Sequence, residues 1–252
     1  MTNSDSSHVA HVVASPNHDV RAGDVVDILI LHYTGMASGA AAEARLCDPE
    51  AKVSSHYLVY EDGSITQLVA EARRARHAGV SSWHGWTDIN SRSIGIEIVN
   101  GGHDYDCPEF PDAQIEAVIR LCHDIRSRWV IPPDRVLGHS DVAPSRKRDP
   151  GEIFPWGRLH AAGLGLLVAP EPIVVGPRVG PGDTGAAVLE LQQLLARYGY
   201  GVPATGTFDA VTRDVVTAFQ RHFRPARVDG IADPSTVATL RKLLQAAATG
   251  GA

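Results

Sequence analysis

The stretch that most constrains this chain is VVDILILH, Val25 to His32. It is an apolar run rich in β-branched residues. A strand of that kind must be covered on both faces, so it reads as a central strand with layers packed on either side. Its surroundings supply those layers. HYLVY, an Asp62-Gly63 turn and ITQLV read as a hairpin. SIGIEIVN, Ser93 to Asn100, is a second strand, with Ile94, Ile96 and Ile98 on one face and Gly95, Glu97 and Val99 on the other. ASGAAAEARLC is helix-prone through its alanines. PDAQIEAVIRLCHDIRSRWV opens on Pro111-Asp112 and carries apolar residues at helical spacing. DRVLGH, Asp134 to His139, is a short strand. The fold class expected is α/β, a mixed central sheet flanked by helices.

A break follows. APEPIVVGPR, Ala169 to Arg178, holds three prolines and a glycine and reads as a linker. It divides residues 23–168 from a smaller all-α segment, 179–246, after an N-terminal extension, 1–22. In the smaller segment, Gly206, Asp209 and Thr212 correspond to Gly230, Asp233 and Thr236. Each trio is a turn followed by a helix, with the aspartate placed as N-cap. The helix VLELQQLLARYGY precedes them, which makes a small three-helix domain with no clustered chemistry.

The chain has 252 residues and a formal net charge of −6, which argues against nucleic acid or an anionic membrane as partner. It has no apolar run long enough for a membrane span. The N-terminus has neither the basic nor the apolar region of a signal peptide, so the expectation is a cytoplasmic protein, with a periplasmic or wall-associated one as the alternative. Three cysteines without a CxxC offer no disulfide framework or thiolate metal site.

Chemistry is concentrated in few places. His32 closes the buried strand. His139 ends VLGH and enters the loop GHSDVAPSRKRDPG, in which Asp149 lies ten positions later. Alone, a strand-end histidine is more often structural than catalytic. Two of them with a loop carboxylate have the composition of a catalytic zinc site, three N and O donors with one position left open. Glu97, on a face with Gly95 and Val99, is either on a solvated edge or looks into a cleft as a general base. Lys147 is either one of the solvated run Arg146–Arg148 or an oxyanion-stabilising cation.

The ordered motifs ILILHYTG, VSSHYLVYEDGSITQLV, RHAGVSSWHG, NSRSIGIEIVN and GHSDVAPSRKRDPGEIFPW cover roughly Val26 to Leu166. In these the chain resembles the zinc-dependent N-acetylmuramoyl-L-alanine amidases of type 2, in the branch acting on anhydro-muropeptides and peptidoglycan. The resemblance implies zinc (Zn2+) on His32, His139 and Asp149, Glu97 as general base and Lys147 as oxyanion stabiliser. It implies hydrolysis of the amide between the muramoyl lactyl group and L-alanine, and it places Tyr33, His77 and Trp83 along the substrate groove, with a strand-end tyrosine, a packed core histidine and a buried tryptophan as the equally weighted structural alternatives. Two positions depart from the pattern. Arg76 stands where tryptophan often precedes the HAG histidine, and Ser55 stands where some relatives carry a tyrosine, which leaves more of the work to Glu97. The C-terminal segment resembles the type 1 peptidoglycan-binding domain, which implies wall binding. The expected partners are peptidoglycan or muropeptides, acted on by a monomer. The competing reading is a non-catalytic peptidoglycan-binding protein, in which a metal ligand would typically be lost. Arg146 and Arg148 are expected to be solvated and to point away from the metal, and Asp141 is left unassigned.

Overall fold

The structure, a computed structural model, describes residues 4–249. The described strands are β1 (His11–Val12), β2 (His18–Val20), β3 (Ile28–Tyr33), β4 (Tyr57–Val59), β5 (Ile65–Gln67), β6 (Arg73–Ala75), β7 (Ser93–Ile98) and β8 (Val136–Gly138). The helices are α1 (Gly39–Cys47), α2 (Ile89–Arg92), α3 (Asp112–Arg128), α4 (His139–Val142), α5 (Trp156–Ala161), α6 (Ala186–Tyr198), α7 (Ala210–Phe223) and α8 (Pro234–Thr249). Six strands form one mixed sheet in the order β1-β5-β4-β7-β3-β8, and β2 pairs with β6 in a separate two-stranded ribbon. β3 lies between β7 and β8 and is parallel to both. β4 is parallel to β7 and antiparallel to β5, as the Asp62-Gly63 hairpin requires.

The alternation of β3 divides it between two cores. Leu29 and Leu31 join Ile94, Ile96 and Ile98 of β7 and pack on α3 through Ile115, Val118, Leu121, Cys122 and Ile125. Ile28 and Ile30 face the other way. They share a second core with Leu137 and Val142 and with Val188, Leu191, Leu195, Val215, Phe219 and Leu243 of the C-terminal helices. The two-faced burial legible in Val25–His32 is therefore completed by the C-terminal domain. Among the described residues, no helix is long and apolar enough to cross a membrane.

The C-terminal domain has the expected three helices. Asp209 and Asp233 cap α7 and α8 by accepting from the Thr212 and Thr236 backbone N–H groups, each at 2.8 Å. The repeat extends to a glutamine on the preceding helix. Gln192 accepts from the Gly206 N–H and Gln220 from the Gly230 N–H, both at 2.8 Å. The linker is tied down too, since the Glu171 backbone bonds to Thr239 and Ser235 of α8. At the other terminus, β1 extends the sheet edge. Arg21 donates to the carbonyls of Glu71, Asn90, Ser91 and Ser93, stitching the extension to β7 and its approach.

Candidate active site

The parallel pairing of β3, β7 and β8 sets the site. Register places His32 beside Glu97, and Leu31 beside Gly138, so His139 emerges next to His32 at the same end of adjacent strands. This is the carboxyl edge of parallel strands, where open α/β sheets gather their ligands. The loop from His139 folds back, with the Ser140 N–H donating to the Asp149 carbonyl at 2.9 Å. Asp149 Oδ2 then lies 3.0 Å from His32 Nδ1 and 2.9 Å from His139 Nδ1, and the two Nδ1 atoms are 2.9 Å apart. All three side chains are buried.

The hydrogen-bond network decides which nitrogens carry protons. His139 Nε2 lies 3.0 Å from the Ala78 carbonyl, which only accepts, so Nε2 is protonated and Nδ1 is a lone pair. His32 is fixed by a longer relay. The Ser93 hydroxyl donates to the Ile89 carbonyl at 2.7 Å, so toward His77 Nε2, 3.1 Å away, its oxygen accepts. His77 Nδ1 is then the acceptor for His32 Nε2–H at 3.0 Å, and His32 Nδ1 is left as a lone pair. Two imidazole lone pairs and a carboxylate oxygen converge with no proton to place between them. Such a set repels itself unless a cation sits among it, and it has the outer-shell support found at metal sites. Burial, then the neighbouring His139, lowers the His32 proton affinity to about 4, so it is neutral at pH 7 as a metal ligand must be.

The triad lies in a cleft of about 660 Å³, whose lining also includes Tyr33, His77, Glu97 and Lys147. Glu97 is half-buried, and its Oε2 has no hydrogen-bond partner. Burial, then the charge of Asp149, raises its proton affinity well above the ordinary carboxylate range, with Lys147 opposing. Lys147 is half-buried on the cleft wall. Tyr33 stands on the wall with its hydroxyl 2.9 Å from His103 Nδ1.

Other sequence expectations fall elsewhere. Trp83 is not in the groove. It is fully buried in the second core, edge-on to Tyr198 and Tyr200 with ring centroids 5.7 and 5.1 Å away, because the loop after α6 docks on it. His77 does border the cleft, but both its ring nitrogens are committed to Ser93 and His32, which makes it a support for His32. Arg146 is not a free solvated residue. It donates to the Ala78 and Val80 carbonyls and holds the segment that accepts from His139. Arg148 borders the cleft and pairs with Asp104. The Ser55 hydroxyl is committed to the Gly95 carbonyl at 2.7 Å. Arg76 reaches Asp19 through two hydrogen bonds on the cleft rim. Asp141, to which sequence reasoning assigned nothing, is fully buried and accepts from the Gly138 N–H at 2.8 Å. The signal available was its place as the third residue of a short helix, where a carboxylate reaches back to the first free N–H.

Comparison with known families places this geometry. The family model described as N-acetylmuramoyl-L-alanine amidase matches residues 22–152. This chain belongs to the N-acetylmuramoyl-L-alanine amidase family. A peptidoglycan binding domain model matches residues 184–240 of the same amidase. The amidase is 40% identical to the N-acetylmuramoyl-L-alanine amidase AmiD of Escherichia coli K12 over 87% of this chain and 83% of the relative. It is 34% identical to the 1,6-anhydro-N-acetylmuramyl-L-alanine amidase AmpD of Enterobacter cloacae over 60% of this chain and 89% of that one. Among solved structures, AmiD from E. coli in complex with the substrate anhydro-N-acetylmuramic acid-L-Ala-D-gamma-Glu-L-Lys matches with TM-score 0.76 and 38% identity, covering 89% of this chain and 90% of that one. AmpDh3 from Pseudomonas aeruginosa with anhydromuramic pentapeptide matches with TM-score 0.69 and 34% identity, covering 87% and 91%.

Proposed function

We propose that this amidase hydrolyses the amide bond between the lactyl group of N-acetylmuramic acid, or its 1,6-anhydro form, and the L-alanine of the stem peptide. The proposed metal is zinc, on His32, His139 and Asp149. The observation that carries the reading is the pair of Nδ1 lone pairs facing Asp149 beside a carboxylate with an unpartnered oxygen. Zinc held by this N, N, O donor set would supply Lewis acidity, able to polarise the scissile carbonyl and to acidify water to a pKa of ~7.

The protein's own groups do the rest. Glu97, with its raised proton affinity, takes the proton of the attacking water. Lys147 offers a fixed positive charge to the carbonyl oxygen as it becomes negative. Glu97 then passes its proton to the alanine nitrogen, the C–N bond breaks, and a lactyl carboxylate and a free amine leave. The cleft is within the roughly 300–1,000 Å³ expected for a small-ligand site, so it suits a sugar-peptide unit. A protein that only bound peptidoglycan would not need Glu97 and Lys147 beside a complete ligand set. Removing metal with a chelator is expected to abolish release of stem peptide, and stoichiometric zinc to restore it. Undiminished activity in verified zinc-free protein would refute the zinc reading. Assays on intact sacculi and on soluble anhydro-muropeptide decide which is the working substrate, and cell fractionation tests the expected cytoplasmic location.

A further inference from the structure

Asp141 takes no part in that chemistry, yet it is saturated with hydrogen bonds. Besides the Gly138 N–H, it accepts from the Tyr200 hydroxyl at 2.7 Å and from His222 Nδ1 at 2.7 Å. Both donors belong to the C-terminal domain. The His222 ring is held in plane between Trp156 and Phe223, with centroids 3.7 and 3.8 Å away, so its Nδ1–H is aimed. Gly138 immediately precedes the metal-site histidine, and Asp141 follows it by two positions.

A second contact reaches the far end of the same loop. Arg221, next to His222, lies 3.5 Å from Glu152, an ion pair without hydrogen-bond geometry. Glu152 stands three residues beyond Asp149 and lies 3.1 Å from His103 Nε2. His103 in turn meets the hydroxyl of Tyr33, the residue after His32.

We propose that α7, through His222 and Arg221, with Tyr200 from the loop before it, is a brace that positions the His139–Asp149 loop for metal binding. The domain matched to peptidoglycan binding thus has a second task, as a fixed part of the metal centre. His222 and Tyr200 are positioning residues, since neither reaches the triad. A C-terminal domain that served wall binding alone would have no need to bury two donors on a carboxylate beside His139. Outer-shell groups that orient metal ligands typically change metal affinity by ~10–100-fold when removed.

The inference rests on the zinc reading, and zinc itself is the probe. Zinc affinity is measured in the full chain by competition with a chromophoric chelator, alongside the melting temperature of the zinc-free protein. Tyr200→Phe removes one donor and keeps the ring. His222→Leu removes the other and keeps bulk between the aromatic neighbours, and His222→Asn restores a donor near the Nδ1 position. Leu243→Ala, in the core shared by the helices and β3, lowers stability without removing either donor to Asp141. The brace predicts zinc binding weakened by about 10-fold or more in His222→Leu, a smaller loss in Tyr200→Phe, affinity near wild type in His222→Asn, and unchanged affinity in Leu243→Ala despite its lower melting temperature. Wild-type affinity in both His222→Leu and Tyr200→Phe would overturn it, as would equal loss in Leu243→Ala. If His222→Leu does not fold, Tyr200→Phe against Leu243→Ala carries the decision. Failure of the wild-type chain to bind zinc would instead remove the zinc reading, and the brace with it.

Discussion

His32, His77 and His56 stand in a file running from the cleft back into the sheet, with successive ring centroids 5.1 and 5.6 Å apart. Burial, first among the causes, lowers the proton affinity of all three, to about 4 for His32, to about 3 for His56 and well below the usual value for His77. In the unfolded chain each takes a proton near pH 6.5. As pH falls from there, the unfolded state binds protons that the folded state refuses, so zinc-free protein loses stability between about pH 6.5 and 4. His32 alone accounts for roughly 3 kcal/mol over that window. Glu97 has the opposite sign. Its raised affinity favours the folded state at low pH, and that contribution is lost as pH rises past the ordinary glutamate value. One carboxylate does not offset three imidazoles, so urea denaturation of zinc-free protein should give a lower midpoint at pH 5 than at pH 7. An equal or higher midpoint at pH 5 would mean these histidines are not held neutral. The residue types were legible in the sequence, where Glu97 on a face with glycine already raised the question of a cleft. The tautomers were not, because they depend on a serine and two carbonyls that carry no chemical signature.

At the scale of the element, β7 shows how one strand serves both a core and a site. Its isoleucines pack on α3, and its opposite face carries Gly95 and Glu97. Gly95 is required by a close approach. A Cβ there would lie 2.5 Å from Cγ of His77, and that ring is pinned between Ser93 and His32. Gly95→Ala therefore has no free space to use. It should destabilise the protein by about 1–3 kcal/mol, the usual cost of overpacking, and displace His77 so that zinc affinity falls with it. Denaturation and zinc titration of the variant check both, and unchanged values would show that His77 can move freely. The alternation of β7, the Asp-Gly hairpin and the capped C-terminal helices could all be read from local pattern. The ring standing over Gly95 comes from another loop, which periodicity along a single strand cannot reveal.

At the scale of the whole molecule, the expected boundary at the proline-rich segment separates two sequence patterns but not two cores. Ile28 and Ile30 of β3 and Val188, Leu191 and Phe219 of the helical domain lie in one cluster. Gly199 lets the domains meet closely, since a Cβ there would lie 2.6 Å from the Trp83 ring. Trp83 stands within a motif shared with groove-lining positions, and that is why the sequence pointed to the cleft. Its burial depends on a loop more than a hundred residues later, beyond the reach of any local signal. The central claim is that this assembly cleaves the lactyl–L-alanine amide with Glu97 as its proton carrier. Mass spectrometry of the products from soluble anhydro-muropeptide, for wild type and Glu97→Gln, each with its zinc content measured, tests it most directly. Wild type is expected to give free stem peptide and peptide-free anhydro-muramic acid product, and a Glu97→Gln variant that still holds zinc is expected to leave the substrate intact. Stem-peptide release by that variant at the wild-type rate, or cleavage at a different bond by wild type, would contradict it.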